Sequence, residues 1–442
     1  MNSIPIYSND RWLIDFISKV NPAFTTSQLE NTSRMCQGLL SDTIHKSVSS
    51  IAGLLIESRD QSTINRFLTE SDWGYDVVSM DINRISVMQQ NRQTAFKSGG
   101  YMIIDDSLLE KSGISMDLVS KHFNHTSHGM KNGLSLVTVH YADDKKNYNL
   151  TKDVYLRKTY LEKHGESDQF RTKIEISIDS IETLVETFPE IVGKNLKVLF
   201  DAWFLSKTMV AQVKMYGLKY VSRAKSNRVI SGLGMSLKEY ASTVLKANDF
   251  KEVIIERKNK LESAFVYTAI LPISNLGDVK ISFVKNEVDG PVKVYIVSND
   301  LKLSGSELVR IYKERWVIET DYKDSKQYFG LADFHLRKKE GIMRYLTLCY
   351  LVSTYLEYCR LMGIFGHCFG VEFDLSTKGK QVRAYQHLMF ERFLIWTEHQ
   401  YSQGKTLDDL IDRFRGEECV RCRDNIQFVK NSVKLSLKMG CV

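Results

Sequence analysis

Proline is scarce in this chain, with only 5 in 442 residues. So few exclude proline-rich linkers, collagen-like repeats and long low-complexity tracts. Cysteine is present but unorganised. Cys36, Cys349, Cys359, Cys368, Cys419, Cys422 and Cys441 form an odd set without framework spacing, as expected for reduced cytoplasmic thiols. The CxxC at Cys419 and Cys422 lacks a second pair at zinc-finger spacing, and His122, His125 and His128 lack a carboxylate or thiol nearby in sequence. Neither is therefore read as a metal site. Long apolar runs are missing as well. The polar start MNSIPIYSNDRW gives no secretory signal. The most apolar stretch, residues 345–356, is flanked by Arg344, Glu357 and Arg360 and reads as a buried core helix. The expectation is a folded cytoplasmic chain with no membrane role.

What is present is ordinary in amount and uneven in distribution. Hydrophobic residues make up 43% and charged residues 26%, so a sizeable interior can form. The length suits about two to four structural units. The formal charge of +7 points mildly to a polyanionic partner. Basic residues gather at Lys145, Lys146, Arg157 and Lys158, at Lys219, Arg223, Lys225 and Arg228, and at Arg337, Lys338, Lys339 and Arg344. Each group alone reads as a solvated face, while together they permit a long footprint on DNA.

Residues 1–95 show apolar positions at three- and four-residue spacing and are expected to be helical. Within them, SVSSIAGLLIES and STINRFLTESDW read either as a helix-turn-helix or as a plain helical hairpin. From Tyr101 the period changes. YMIIDDS, LSLVTVHYAD and DVYLRKTYL read as strands, ISIDSIETLVETFPEIVG as a helix, LKVLFDAWF as a strand ending at Asp201, SKTMVAQVKMYG as a helix and LKYVSRAK as a strand. Three strands, then helix, strand, helix and strand is the order of an RNase H-like α/β core, whose first and fourth strands are neighbours. The expected divisions are a helical DNA-binding region over 1–95, the core over 96–227 and 305–345, a β-rich insertion over 228–304, and a helical region over 346–442 that is a candidate for dimerisation.

The most informative segment runs from Ser306 to Leu331. On one continuous helix, Tyr312, Arg315, Glu319 and Lys326 project from a single face, and Trp316 and Ile318 turn toward the core. Arg315 and Glu319 alone also fit an ordinary i, i+4 ion pair.

The spacing Tyr-x2-Arg-x3-Glu-x6-Lys, preceded by IIDDS and VLFDAWF, resembles the insertion-sequence-four family of DDE transposases over about residues 47–344. The resemblance implies catalytic and metal-holding roles for Asp106, Asp201 and Glu319, and two Mg2+ ions per site, replaceable by Mn2+. Carboxylates are suitable hard ligands for such ions, which stabilise attacking and leaving oxygens in phosphodiester displacement. It implies phosphate contacts for Tyr312, Arg315 and Lys326, with Lys111, Arg223 and Lys225 as further DNA-binding candidates. Asp105 and Asp106 point to opposite faces of a strand. The family's acid precedes Thr or Ser, which selects Asp106 before Ser107 and leaves Asp105 in a supporting place.

Trp203 and Trp316 read first as packing residues and secondarily as platforms for a flipped base. Residues 228–304 contain no Trp, where better-known members carry one. Tyr240, Phe265, Tyr267, Phe283 and Tyr295 are the substitutes available there.

The implied activity is cut-and-paste transposition through a hairpin intermediate. The implied partners are double-stranded DNA, as terminal inverted repeats and target, and a second copy of the chain in a nucleoid-associated complex. The alternatives are a domesticated DNA-binding protein without chemistry, and a related nuclease or copying transposase.

Overall fold

The computed structural model describes residues 5–6, 10–56, 61–87, 95–97, 99–113, 115–124, 127–257, 260–364, 367–368 and 371–410. The CxxC pair, Cys441 and His125 lie outside them.

Among the described residues five helices come first, α1 (Arg11–Val20), α2 (Thr26–Leu40), α3 (Val48–Ala52), α4 (Gln61–Thr69) and α5 (Tyr75–Val87). Local chemistry sets their starts. Thr25 opens α2 with a capping box to Gln28, satisfying amides that the helix cannot pair internally. The two segments weighed as a helix-turn-helix become α3 and α4, which bury Val48, Ile51, Ile64, Phe67 and Leu68.

The sheet then begins with β1 (Tyr101–Glu110), β2 (Ser120–Asn124), β3 (Gly129–Ala142) and β4 (Asn147–Tyr155). The third core strand lies earlier than the expected DVYLRKTYL, because a helix, α6 (Lys158–His164), has already started there. Next come α7 (Lys173–Thr187), opened by the Thr172–Glu175 capping box, then α8 (Glu190–Gly193), β5 (Lys197–Phe200), α9 (Lys207–Met215) and β6 (Lys219–Ala224). β1 runs parallel to β5 and β5 parallel to β6, while β3 is antiparallel to both β1 and β4. The resulting order β4-β3-β1-β5-β6, with first and fourth core strands adjacent, is consistent with an RNase H-like core.

The β-rich stretch adds α10 (Leu237–Thr243), β7 (Lys251–Arg257), β8 (Lys260–Ile273), β9 (Gly277–Lys285) and β10 (Val294–Ser298). These strands form no second layer. β10 pairs with β6, and β9, β8 and β7 follow outward, so the sheet is continuous. The aromatic residues of this stretch pack on one another: Tyr240, Tyr267 and Tyr295 surround the fully buried Phe283.

After the sheet come α11 (Gly305–Lys313), α12 (Trp316–Tyr328), α13 (Lys339–Met362) and α14 (Lys378–Ser402). α13 contains the apolar run and is buried over residues 341–357, against α2, α4, α5 and β4. Among the described residues, no helix is long and apolar enough to cross a membrane.

Each face of the sheet carries its own core. Ile103 and Leu109 of β1 join Leu199, Val221, Ile318 and the N- and C-terminal helices, whereas Met102 and Ile104 join Val198, Phe200 and α7 and α9. This alternation places Asp105 on the face of α12 and Asp106 on the face of α7.

Candidate active site

The first acids sit inside β1 rather than at its end, because residues 107–110 continue to pair with β3. β5 accompanies β1 only as far as Ile103. The acids therefore stand where the parallel neighbour has stopped, and Asp201 follows one residue after β5 ends. Asp201 is fixed by a local turn. Its Oδ1 accepts the backbone N–H groups of Trp203 at 2.8 Å and Phe204 at 3.2 Å, and Ser222 donates to its backbone carbonyl at 3.1 Å.

The signature segment is two helices, not one. Across Tyr312 to Ile318 the bonds run from residue i to i+3, Arg315 to Tyr312 and Ile318 to Arg315, which tightens the turn and separates α11 from α12. Ile318 faces the core as expected, but Trp316 is 56% exposed. The break leaves Arg315 as the residue before α12 and Glu319 in its first turn, where the helix dipole favours a negative charge.

Arg315 is the hub on this face. One guanidinium nitrogen donates to Asp105 at 2.7 Å and the other to Glu319, so it ties the acid strand to the acid helix. Burial pushes the Asp105 carboxyl up to about 7, and Arg315 keeps it from rising further. Burial also works against the Arg315 charge, but Asp105, Tyr312 and Glu319 outweigh it and hold that charge more firmly than in water. The Tyr312 ring lies 5.9 Å from the guanidinium. Farther along α12, Lys326 donates to Ser107 at 2.8 Å and to the Leu108 carbonyl at 3.1 Å, and burial lowers its pKa. Two of the four signature residues, Arg315 and Lys326, thus reach the strand that carries Asp105 and Asp106, and Arg315 links a third, Glu319, to it.

On the opposite face Asp106 meets a residue that the sequence reading did not single out. Lys173, at the start of α7, donates to its carboxylate at 2.6 Å and lies 5.9 Å from the Trp203 ring. Trp203 is 47% exposed, so like Trp316 it is not core packing. Nothing in the local sequence marks Lys173, because its partner is 67 residues away.

Other candidates are placed elsewhere. Lys111 donates to the carbonyls of Ala332 and Phe334, both at 2.6 Å, and covers the Phe334 ring. It secures the segment after α12. The basic clusters also divide: Lys146 is buried, and Arg344 is buried on the carbonyls of Trp73 and Leu68. His122 shares a hydrogen bond with Ser120 and is lowered to about 4, chiefly by burial and then by Lys173 and Arg157.

A cavity of about 1110 Å³ opens beside Asp201. Arg223 and Lys225 line it as sequence candidates, and Lys238, Lys285 and Lys293 line it without having been anticipated.

Carboxylate oxygens suit a hard divalent cation. Among the described residues no three acids, histidines or cysteines are gathered at a common ligand point. The Asp105, Asp106 and Glu319 charges are instead met by Arg315 and Lys173.

Two family models match the chain. The model described as a transposase DDE domain covers residues 170–355, which contain Asp201 and Glu319. The model described as a DDE superfamily endonuclease covers residues 19–240, half of the chain, with both strand acids and Asp201. No curated protein matches. With strand acids, helix acid and matched segments coinciding, the chain belongs to the DDE superfamily of endonucleases and contains a transposase DDE domain.

Proposed function

We propose that this protein is a DNA transposase of the insertion-sequence-four type, which binds the inverted ends of its element as a dimer, cuts them and joins them to a target. The observation that carries this reading is the Arg315 bridge, which joins the acid of α12 to the acid strand β1 beside a cavity rich in cations.

Asp106, Asp201 and Glu319 are assigned to hold two Mg2+ ions, for which their oxygen donors are suited. When bound, such ions activate the attacking oxygen and stabilise the leaving one. The chain's own residues do the positioning. Asp105 anchors Arg315, Arg315 orients Glu319, and the turn after β5 fixes Asp201. Tyr312, Arg315, Lys326, Arg223 and Lys225 are assigned to phosphates. Lys173 pairs with Asp106, one of the carboxylates that would hold an ion.

One observation favours the opposite assignment of the first acid, since Asp105 and not Asp106 shares a guanidinium with Glu319. Comparing Asp105→Asn with Asp106→Asn decides between them.

Excision through a hairpin on the transposon end is the proposed pathway, with Trp203 and Trp316 as the exposed aromatic faces for a displaced base. The test of function is cleavage of DNA carrying the sequences that flank the gene, with and without Mg2+. Short inverted repeats and target duplications in that flanking DNA identify the substrate.

A further inference from the structure

The cavity beside Asp201 has three sides. Its floor is the end of β6 and the residues after it, with Arg223 and Lys225. One wall is α10, with Lys238, and the other is formed by the end of β9 and the turn into β10, with Lys285 and Lys293. Among the described residues none of these five cations is in an ion pair, although Arg223 donates to the Lys293 carbonyl and Lys285 lies over the Phe250 ring. Opposing them along the lining are only Asp201 and Asp289. Five uncompensated cations converging from three sides form a site for a polyanion that passes between the walls.

Size decides which polyanion. The cavity volume, about 1110 Å³, is that of a large ligand pocket, for which about 300 to 1,000 Å³ is usual. A volume of that order encloses a few nucleotides of one strand but no more than a base pair or two of a duplex. We propose that this cleft seats a single DNA strand, held by its phosphates through Lys238, Lys285 and Lys293, leading away from the scissile position at Asp201. The proposal deepens the transposase reading and rests on it for the chemistry at Asp201. Lysine ammonium groups on long stems meet phosphates without reading bases, so the seat is independent of sequence. A sheet extended past β6 is what gives the strand its second wall.

The test uses the full chain, metal-free, in fluorescence anisotropy with labelled oligothymidylate and with a duplex of equal length. Lys238→Gln, Lys285→Gln and Lys293→Gln are combined in one variant, and the three Lys→Arg changes in another. The glutamine variant is expected to lose about tenfold or more in oligothymidylate affinity and about two units of the salt slope, at roughly 0.7 per phosphate contact. Its duplex affinity should change much less, and the arginine variant should bind as the wild type does. Unchanged oligothymidylate affinity and slope would overturn the proposal, as would an equal loss on duplex or failure of the arginine variant to restore binding. Mg2+-dependent cleavage by the wild type is read separately. If cleavage is absent while strand binding behaves as expected, the transposase reading fails and the strand seat stands.

Discussion

Asp105 and Asp106 share a peptide bond but not an environment, so single amide substitutions should separate their roles. Asp106→Asn, Asp201→Asn and Glu319→Gln are expected to reduce cleavage by more than about 100-fold with DNA binding retained, because each removes ligand charge with little change of shape. Asp105→Asn should fall in the range of about 10- to 100-fold that accompanies loss of an outer partner of a metal ligand. Paired cleavage and binding assays check this, and a dead Asp105→Asn beside an active Asp106→Asn would exchange the assignments. Trp203→Ala and Trp316→Ala should leave the unfolding midpoint nearly unchanged, since both rings are exposed. They should weaken any step that needs a flipped base by about 1 to 3 kcal/mol. At this scale the sequence revealed residue types and spacing, which is why Arg315, Glu319 and Lys326 could be singled out. It could not reveal Lys173, whose contact with Asp106 depends on α7 crossing the sheet, or the exposure of Trp316, which depends on the break before α12.

The helix carrying Glu319 is held at its far end by a close approach. Gly330 has φ +63°, and a Cβ there would lie 2.3 Å from the Lys46 Cβ. Tyr345 donates to the carbonyls of both Lys46 and Gly330, which fastens α13 to this junction. Gly330→Ala should therefore cost about 1 to 3 kcal/mol or more in denaturant unfolding, from a strained backbone and a clash together. Lys46 adds a pH signature. Burial lowers its ammonium to about 8, against the pull of Asp42 and Asp333. The unfolded chain keeps that proton to about 10.4, so stability attributable to Lys46 rises as pH increases from about 8 to about 10. Lys46→Met should lack this rise in urea titrations at pH 7.5 and 9.5. Elements with strong apolar runs were legible in the sequence: LKVLF and LKYV became β5 and β6, and α13 was a buried helix. β2 was not, because SKHFN is short and polar and is defined by pairing with β3. The division of α11 from α12 was not either, because no glycine or proline marks it.

At the scale of the whole molecule, two cores on opposite faces of one sheet bring α12 and α7 to the same pair of acids from opposite directions. Strand order was legible because an RNase H-like succession constrains which strands are neighbours. Continuity of the sheet through β10 to β7 was not, since an alternating strand pattern does not say which edge it joins. The molecular pathway predicts a hairpin species on denaturing gels, running at about twice the strand length, when end-labelled element DNA is cut; clean hydrolysis of both strands with no such species at any time would rule that pathway out. Metal-dependent cleavage at Asp201 is tested most directly with the same labelled substrate, incubated with Mg2+ and either the wild-type chain or Asp201→Asn. Cleavage at the element end by the wild type, lost on chelation and absent in the variant, is the expected result. No cleavage by a wild-type chain that binds the ends, or cleavage that survives in Asp201→Asn, would contradict it.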